Sequence, residues 1–194
     1  MLRVENLPAG AATVTFDVEA GRCVGVLGGD TSVLRNISET IGGLKRGAGG
    51  NVTLDGLDSI RDAGQFRRRV SVFLPRTVDS RVTPLEHVSL VARVRGDERE
   101  PAAASLARLG CAPDAPTANA AVRAATALAA ALIPAASLVV LHEPFEELDE
   151  ETRSKAIDWI RSLSASPAAV VICARQERDV RAVSHHVIEI GSAR

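Results

Sequence analysis

Val24-Gly25-Val26-Leu27-Gly28-Gly29-Asp30-Thr31-Ser32-Val33-Leu34-Arg35-Asn36-Ile37 reads as an apolar strand, a very short glycine turn and the start of a helix. Strand, glycine turn and helix are the parts of a P-loop, whose pattern is Gly-x-x-x-x-Gly-Lys-[Ser/Thr]. In that pattern a long glycine-rich arc turns successive backbone N–H groups around a phosphate, and a lysine reaches the terminal phosphates. Here only Gly28, Gly29 and Asp30 separate the strand from Thr31 and Ser32. Three residues span about 10 Å when fully extended, too little to wrap a phosphate. Asp30 stands where the lysine belongs, and its carboxylate repels a triphosphate.

The surroundings of this stretch alternate between strand and helix. Before it, Leu2 to Glu5 and Thr13 to Val18 have strand character, and Gly21 marks a turn. After it, the spacing predicts a helix from Ser32 to Gly42, capped by Asp30 or Thr31, with Val33, Ile37 and Ile41 on one face. A strand at Asn51 to Leu54 meets a turn at Asp55-Gly56. Residues 59 to 69 read as a solvated, arginine-rich short helix, and Val70 to Leu74 as a buried strand. Thr83 caps a helix running to Arg95, with Leu85, Val88, Leu90 and Val91 as its apolar pattern. A shorter helix, Ala102 to Leu109, ends at Gly110. Beyond a linker at 111 to 117, the sequence predicts a helix from Asn119 to Ile133, a strand at Leu138 to Leu141 and a helix from Glu150 to Ser164. A strand at Ala169 to Ala174, a short helix through Val183 and a strand at Val187 to Ile190 complete the series. Near-continuous apolar strands alternating with helices predict an α/β domain whose mainly parallel sheet is covered on both faces.

The 194 residues are 46% apolar and 24% charged, enough for one core that buries roughly 70% of the unfolded surface. A formal net charge of −1 gives no basic footprint, which argues against direct nucleic-acid binding. Cys23, Cys111 and Cys173 are far apart, without C-x-x-C spacing, and read as buried thiols of a reducing compartment. The charged start, Met1 to Asn6, does not resemble a secretion signal. The uncharged run 124–141 is long enough to mimic a membrane span, but Pro134 divides it into an alanine-rich helix and a strand. No metal-ligand spacing is found, so no metal site is expected.

Several segments, taken in order, resemble the nucleotide-binding subunits of ABC transporters over nearly the whole chain. Thr15 to Gly21 looks like the strand before the P-loop, and Ser32 to Ile37 like the helix after it. Gly50 to Gly56 resembles the family's Gly-x-Val-x-x-x-Gly hairpin. Thr83-Pro84-Leu85-Glu86-His87 with Leu90 to Gly96 looks like the helical subdomain of drug-exporter-type members. Leu138-Val139-Val140-Leu141-His142-Glu143-Pro144-Phe145-Glu146-Glu147-Leu148-Asp149 copies the Walker B strand and D-loop. The resemblance implies a P-loop NTPase-like core with an N-terminal antiparallel β part and a short helical subdomain. It implies one domain over 1–194, with 1–76 and 118–194 as core and 77–117 as a shortened subdomain.

Position by position, the resemblance implies a degenerate member. Gly28, Gly29, Asp30, Thr31 and Ser32 are what remains of Walker A, and the two lysines, Lys45 and Lys155, lie elsewhere. The chain has no tyrosine, and no aromatic residue lies in Pro8 to Ala12 to stack on adenine. His142 replaces the Walker B aspartate; imidazole is a poor ligand for Mg²⁺, which prefers oxygen, and His142 is expected to be hydrogen-bonded locally. Glu143 keeps the general-base position, as a vestige serving a turn or salt bridge. Arg76 stands at the Q-loop glutamine and Arg175 at the switch histidine; arginine does not relay protons near neutral pH. Asn119, Ala120 and Ala121 occupy the signature, with methyl groups where glycines admit a phosphate. Leu148 and Asp149 retain the D-loop that touches another subunit. Each donor lost from a developing charge costs roughly 3 kcal/mol in such sites.

The resulting expectation is a pseudo-ATPase: a scaffold or regulatory partner in a transporter complex, with no cofactor of its own. Its expected partners are a membrane permease, an intact ATP-binding subunit, or both, in a dimer at the inner, cytoplasmic face of the membrane. Two other readings stay open. One is an ATP- and Mg-using subunit that hydrolyses only with a partner. The other is a soluble interaction module using Arg67 to Arg69 and the helix from Pro84 to Arg95.

Overall fold

The computed structural model describes residues 1–75, 77–96, 101–133 and 136–191. Arg76, read as the Q-loop position, and Pro134, read as a helix breaker, lie outside these residues.

Two sheets form the framework. β1 (Leu2–Ala9), β2 (Ala12–Val18), β4 (Asn51–Leu54) and β5 (Leu57–Asp58) make an antiparallel sheet in the order β2-β1-β4-β5. β3 (Cys23–Gly28), β6 (Val70–Phe73), β7 (Leu138–His142), β8 (Ala169–Ala174) and β9 (His186–Ile190) make a parallel sheet in the order β6-β7-β8-β3-β9. The helices are α1 (Thr31–Ile41), α2 (Ala63–Arg68), α3 (Pro84–Arg95), α4 (Ala102–Arg108), α5 (Ala120–Ala131), α6 (Glu150–Ser162) and α7 (Glu177–Val183). The α/β class and the parallel sheet are therefore as the sequence predicts.

The inner parallel strands β3, β7 and β8 are buried on both faces, which is why they read as unbroken apolar runs, whereas the edge strand β9 is only partly covered. Val24, Val26, Val140 and Val171 point into a core shared with α1 and the antiparallel sheet, where Leu2, Val4, Leu34, Ile37 and Ile41 meet them. Val139, Leu141, Val170 and Ile172 face a second core built from α3 to α7, including Leu128, Leu132 and Trp159. The alternation fixes register: Leu141 pairs with Ile172, and His142 with Cys173. The uncharged run 124–141 is divided between α5 and β7, and no helix among the described residues is long and apolar enough to cross a membrane.

Some faces differ from expectation. In α1 the buried aliphatics are Leu34, Ile37 and Ile41, while Val33 is only partly buried, because helix and sheet meet along a line one residue later. The 59–69 segment is anchored by Phe66, which is fully buried beneath a polar surface. In α3 the core takes Pro84, Val88 and Ala92, whereas Leu85 and Leu90 are exposed. The apolar periodicity is present there, but α4 and α5 cover only a narrow strip of the helix. All three cysteines are buried and free, as expected. Burial pushes the Cys23 and Cys173 thiols up to about 12.

Candidate functional site

The carboxyl ends of β3, β7 and β8 lie side by side. Parallel α/β sheets place ligand sites at that edge. It brings together Gly28 to Ser32 after β3, His142 and Glu143 at the end of β7, and Arg175 just past β8.

The turn after β3 closes on itself. The Asp30 carboxylate accepts the backbone N–H groups of Ser32 at 2.7 Å and Val33 at 3.3 Å, and also the Ser32 hydroxyl at 2.7 Å. It is the N-cap of α1 and leaves Thr31 outside that role. These bonds hold the Asp30 carboxyl below the usual carboxylate range. A helix start presents unpaired donors and a partial positive charge; here the chain's own anion already takes two of the amides. Gly28 is covered as well. A Cβ built on it would lie 2.5 Å from Ile190 Cγ1 of β9, with Leu34 on its other side.

His142 is 2% exposed, and its Nδ1 has no hydrogen-bond partner among the described residues. The expectation of a local hydrogen bond is therefore not met. The ring is held at the end of β7, beside β8. Burial and the nearby Arg35 charge depress its pKa to about 4, against the opposing pull of Glu39. The imidazole is accordingly neutral at pH 7.

Glu143 has φ +47°, which is strained for a residue with a side chain. Its own N–H donates to the Cys173 carbonyl at 2.9 Å. The buried carboxylate receives Arg175 Nε at 3.0 Å and the Arg175 backbone N–H at 3.2 Å. Burial raises the Glu143 carboxyl above its ordinary value while the bonds from Arg175 pull it down. Arg175 also donates to Glu146 at 2.6 Å. The positions read as general base and switch are thus joined to each other, in keeping with the expected salt-bridge role of Glu143. Glu146 was not singled out from the sequence; an acid in an acidic turn carries no signal of its own. Ile190 was missed because only the sheet order brings it over Gly28.

The other two positions have local duties. Asn119 caps α5, its Oδ1 accepting the Ala121 N–H at 2.8 Å, so that donor too is occupied. Ala120 and Ala121 form the first turn of α5, which packs on α3, α4 and β6. Asp149 caps α6 through the Thr152 N–H at 2.8 Å and remains at the surface. Leu148 is buried in the core beside the helices. Of the D-loop pair, Asp149 alone is exposed. Among the described residues no cluster of His, Cys, Asp and Glu could hold a metal ion.

The ATP-binding protein LolD of the lipoprotein-releasing system of Chromohalobacter salexigens is 28% identical over 193 residues, covering 92% of this chain and 81% of that protein. The chain is similar in sequence to that ATP-binding protein and in fold to ABC transporter cassettes. The cassette fold is also that of the bacterial ABC transporter cassette MJ0796 in its dimeric structure, with a TM-score of 0.84 and 17% identity over 98% of this chain and 94% of that one. A post-hydrolysis dimer of MJ0796 bound to ADP and Pi gives 0.82 and 18%, covering 100% of this chain and 97% of that one. No protein-family model matches the chain.

Proposed function

We propose that the chain is a pseudo-ATPase subunit of an ABC transporter complex, with little or no nucleotide binding or hydrolysis of its own. In this reading it is a scaffold or regulator, bound to a membrane permease, an intact ATP-binding subunit, or both. The observation that carries the reading is Asp30: its carboxylate caps α1 with the amides that a phosphate would need. The residues present do not fit a magnesium nucleotide. The arc is too short, its lysine position is an acid, Ile190 lies against Gly28, and a buried neutral imidazole stands where a hard cation needs an oxygen. The signature position adds a self-capped helix start in place of open glycines. Dimerisation, the division into core and shortened helical subdomain, and a cytoplasmic location at the membrane through a partner belong to the same proposal.

A second reading, an ATP-hydrolysing subunit that works only with a partner, has one specific observation in its favour. Glu143 stands at the end of β7, and the Arg175 side chain that covers it is itself 43% exposed, so a partner could draw the arginine away. Coexpression with a permease and an intact ATP-binding subunit that copurify with it, followed by an ATPase assay with and without Glu143→Gln, separates the two. The pseudo-ATPase reading expects any activity of the complex to survive the substitution. Loss of activity on that change would establish hydrolysis at this chain's site.

A further inference from the structure

Beyond the C-terminal end of α1, against α2, the chain builds a small patch that the pseudo-ATPase reading does not use. The loop after α1 turns at Gly43, whose φ is +68°, and lies against α2: a Cβ there would be 2.9 Å from the Phe66 ring and 3.5 Å from Arg67 Cγ. This packing puts Leu44, Lys45, Arg46, Ile60 and Arg67 around one cleft of about 120 Å³. Leu44 is 53% exposed and Ile60 45%, two of the few large apolar side chains left in water. Lys45, Arg46, Arg67 and the neighbouring Arg68 are all exposed, and among the described residues none has an ion-pair partner. Lys45 donates only to the neutral Asn36 side chain, and Arg67 to the Ala63 carbonyl. In a chain of net charge −1, this is a local concentration of free positive charge around two aliphatic tips.

We propose that this patch is a contact site for an anionic phospholipid surface. Charge complementarity selects an anionic partner, because three cations, Lys45, Arg46 and Arg67, without ion-pair partners among the described residues, line one cleft. The aliphatic tips select a surface with an apolar layer just beneath its charge, where they insert to headgroup depth while the cations stay among the phosphates. The cleft has room for about four waters' worth of ligand, the scale of a headgroup phosphate and far too small to seat a helix or strand of a protein. It offers no exposed aromatic ring for stacking on a nucleic-acid base. The contact does not rest on the transporter reading, and the chain alone suffices to test it.

The purified full chain is sedimented with phosphatidylcholine vesicles with and without phosphatidylglycerol, at low and high salt. Binding is expected only with phosphatidylglycerol and is lost at high salt, where exposed charges are screened. Arg46→Gln and Arg67→Gln each weaken partition about five-fold, while Arg22→Gln, at an exposed cation immediately before β3, three positions from β6 in the sheet order, leaves it unchanged. Leu44→Ser with Ile60→Ser weakens binding but keeps its salt dependence. Far-UV circular dichroism confirms that each surface variant is folded. Failure of the wild-type chain to sediment with anionic vesicles at low salt overturns the proposal, and leaves an acidic protein surface as the patch's partner. Equal weakening by Arg22→Gln and Arg46→Gln overturns it too, since binding would then follow total charge.

Discussion

His142 makes the stability of this protein depend on pH in a way that can be worked out in advance. An imidazole in the unfolded chain titrates near 6.5, whereas burial depresses it to about 4 in the folded state. The unfolded state therefore takes up the proton first. The contribution of His142 to stability is fully present above the unfolded pKa and is lost as pH falls through 6.5 toward 4. Between about pH 8 and about pH 5 this single group removes about 2 kcal/mol of stability. Arg35, Glu39 and Arg175 act on the ring's charge, and they remain in the variant His142→Leu, which keeps the volume and deletes the proton site. Urea unfolding followed by fluorescence of the single tryptophan, the buried Trp159, gives stability for both proteins at each pH. The wild type should lose about 2 kcal/mol more than His142→Leu over this range. At neutral pH the variant should be at least as stable as the wild type, because a buried Nδ1 without a partner disappears. Equal losses in the two proteins would refute the buried, neutral assignment of this ring.

Asp30→Ala deletes the cap of α1 and should lower the thermal midpoint by a few degrees in a calorimetric scan; on the proposed reading it creates no affinity for magnesium ATP, because the turn stays too short. Gly21→Ala forces a side chain onto φ +70° with its Cβ 2.8 Å from the Ser164 carbonyl, and denaturant unfolding should register a loss of about 1–3 kcal/mol. Thiol labelling of the native protein should be slow at neutral pH, because Cys23 and Cys173 are buried and protonated to about 12; labelling should become fast in urea.

What could be read from the chain depended on how local the physics is. The apolar runs at Val24 to Leu27, Leu138 to Leu141 and Ala169 to Ala174 announce buried strands because every residue in them but the partly buried Leu27 is inside. Asp30 was legible as a departure at its own position, and its cap follows from an acid preceding a helix by one residue. The Glu143–Arg175 pair was not legible as a pair. Its partners are 32 residues apart and meet only because β7 and β8 run parallel in register at Leu141 and Ile172. Leu85 and Leu90 misled for the opposite reason. Periodicity reports that a helix has an apolar side, but how wide a strip the neighbours cover is a property of α4 and α5. Nor does any pattern along the chain say that the hydrogen-bonding atom of His142 lacks a partner.

The central claim, that internal caps occupy the amides that would hold a phosphate after β3, is tested most directly by equilibrium binding of labelled ATP with Mg²⁺ to the purified full chain. The account predicts no saturable binding in the micromolar range, for the wild type and for Asp30→Ala alike. Saturable micromolar binding by the wild-type chain would contradict it.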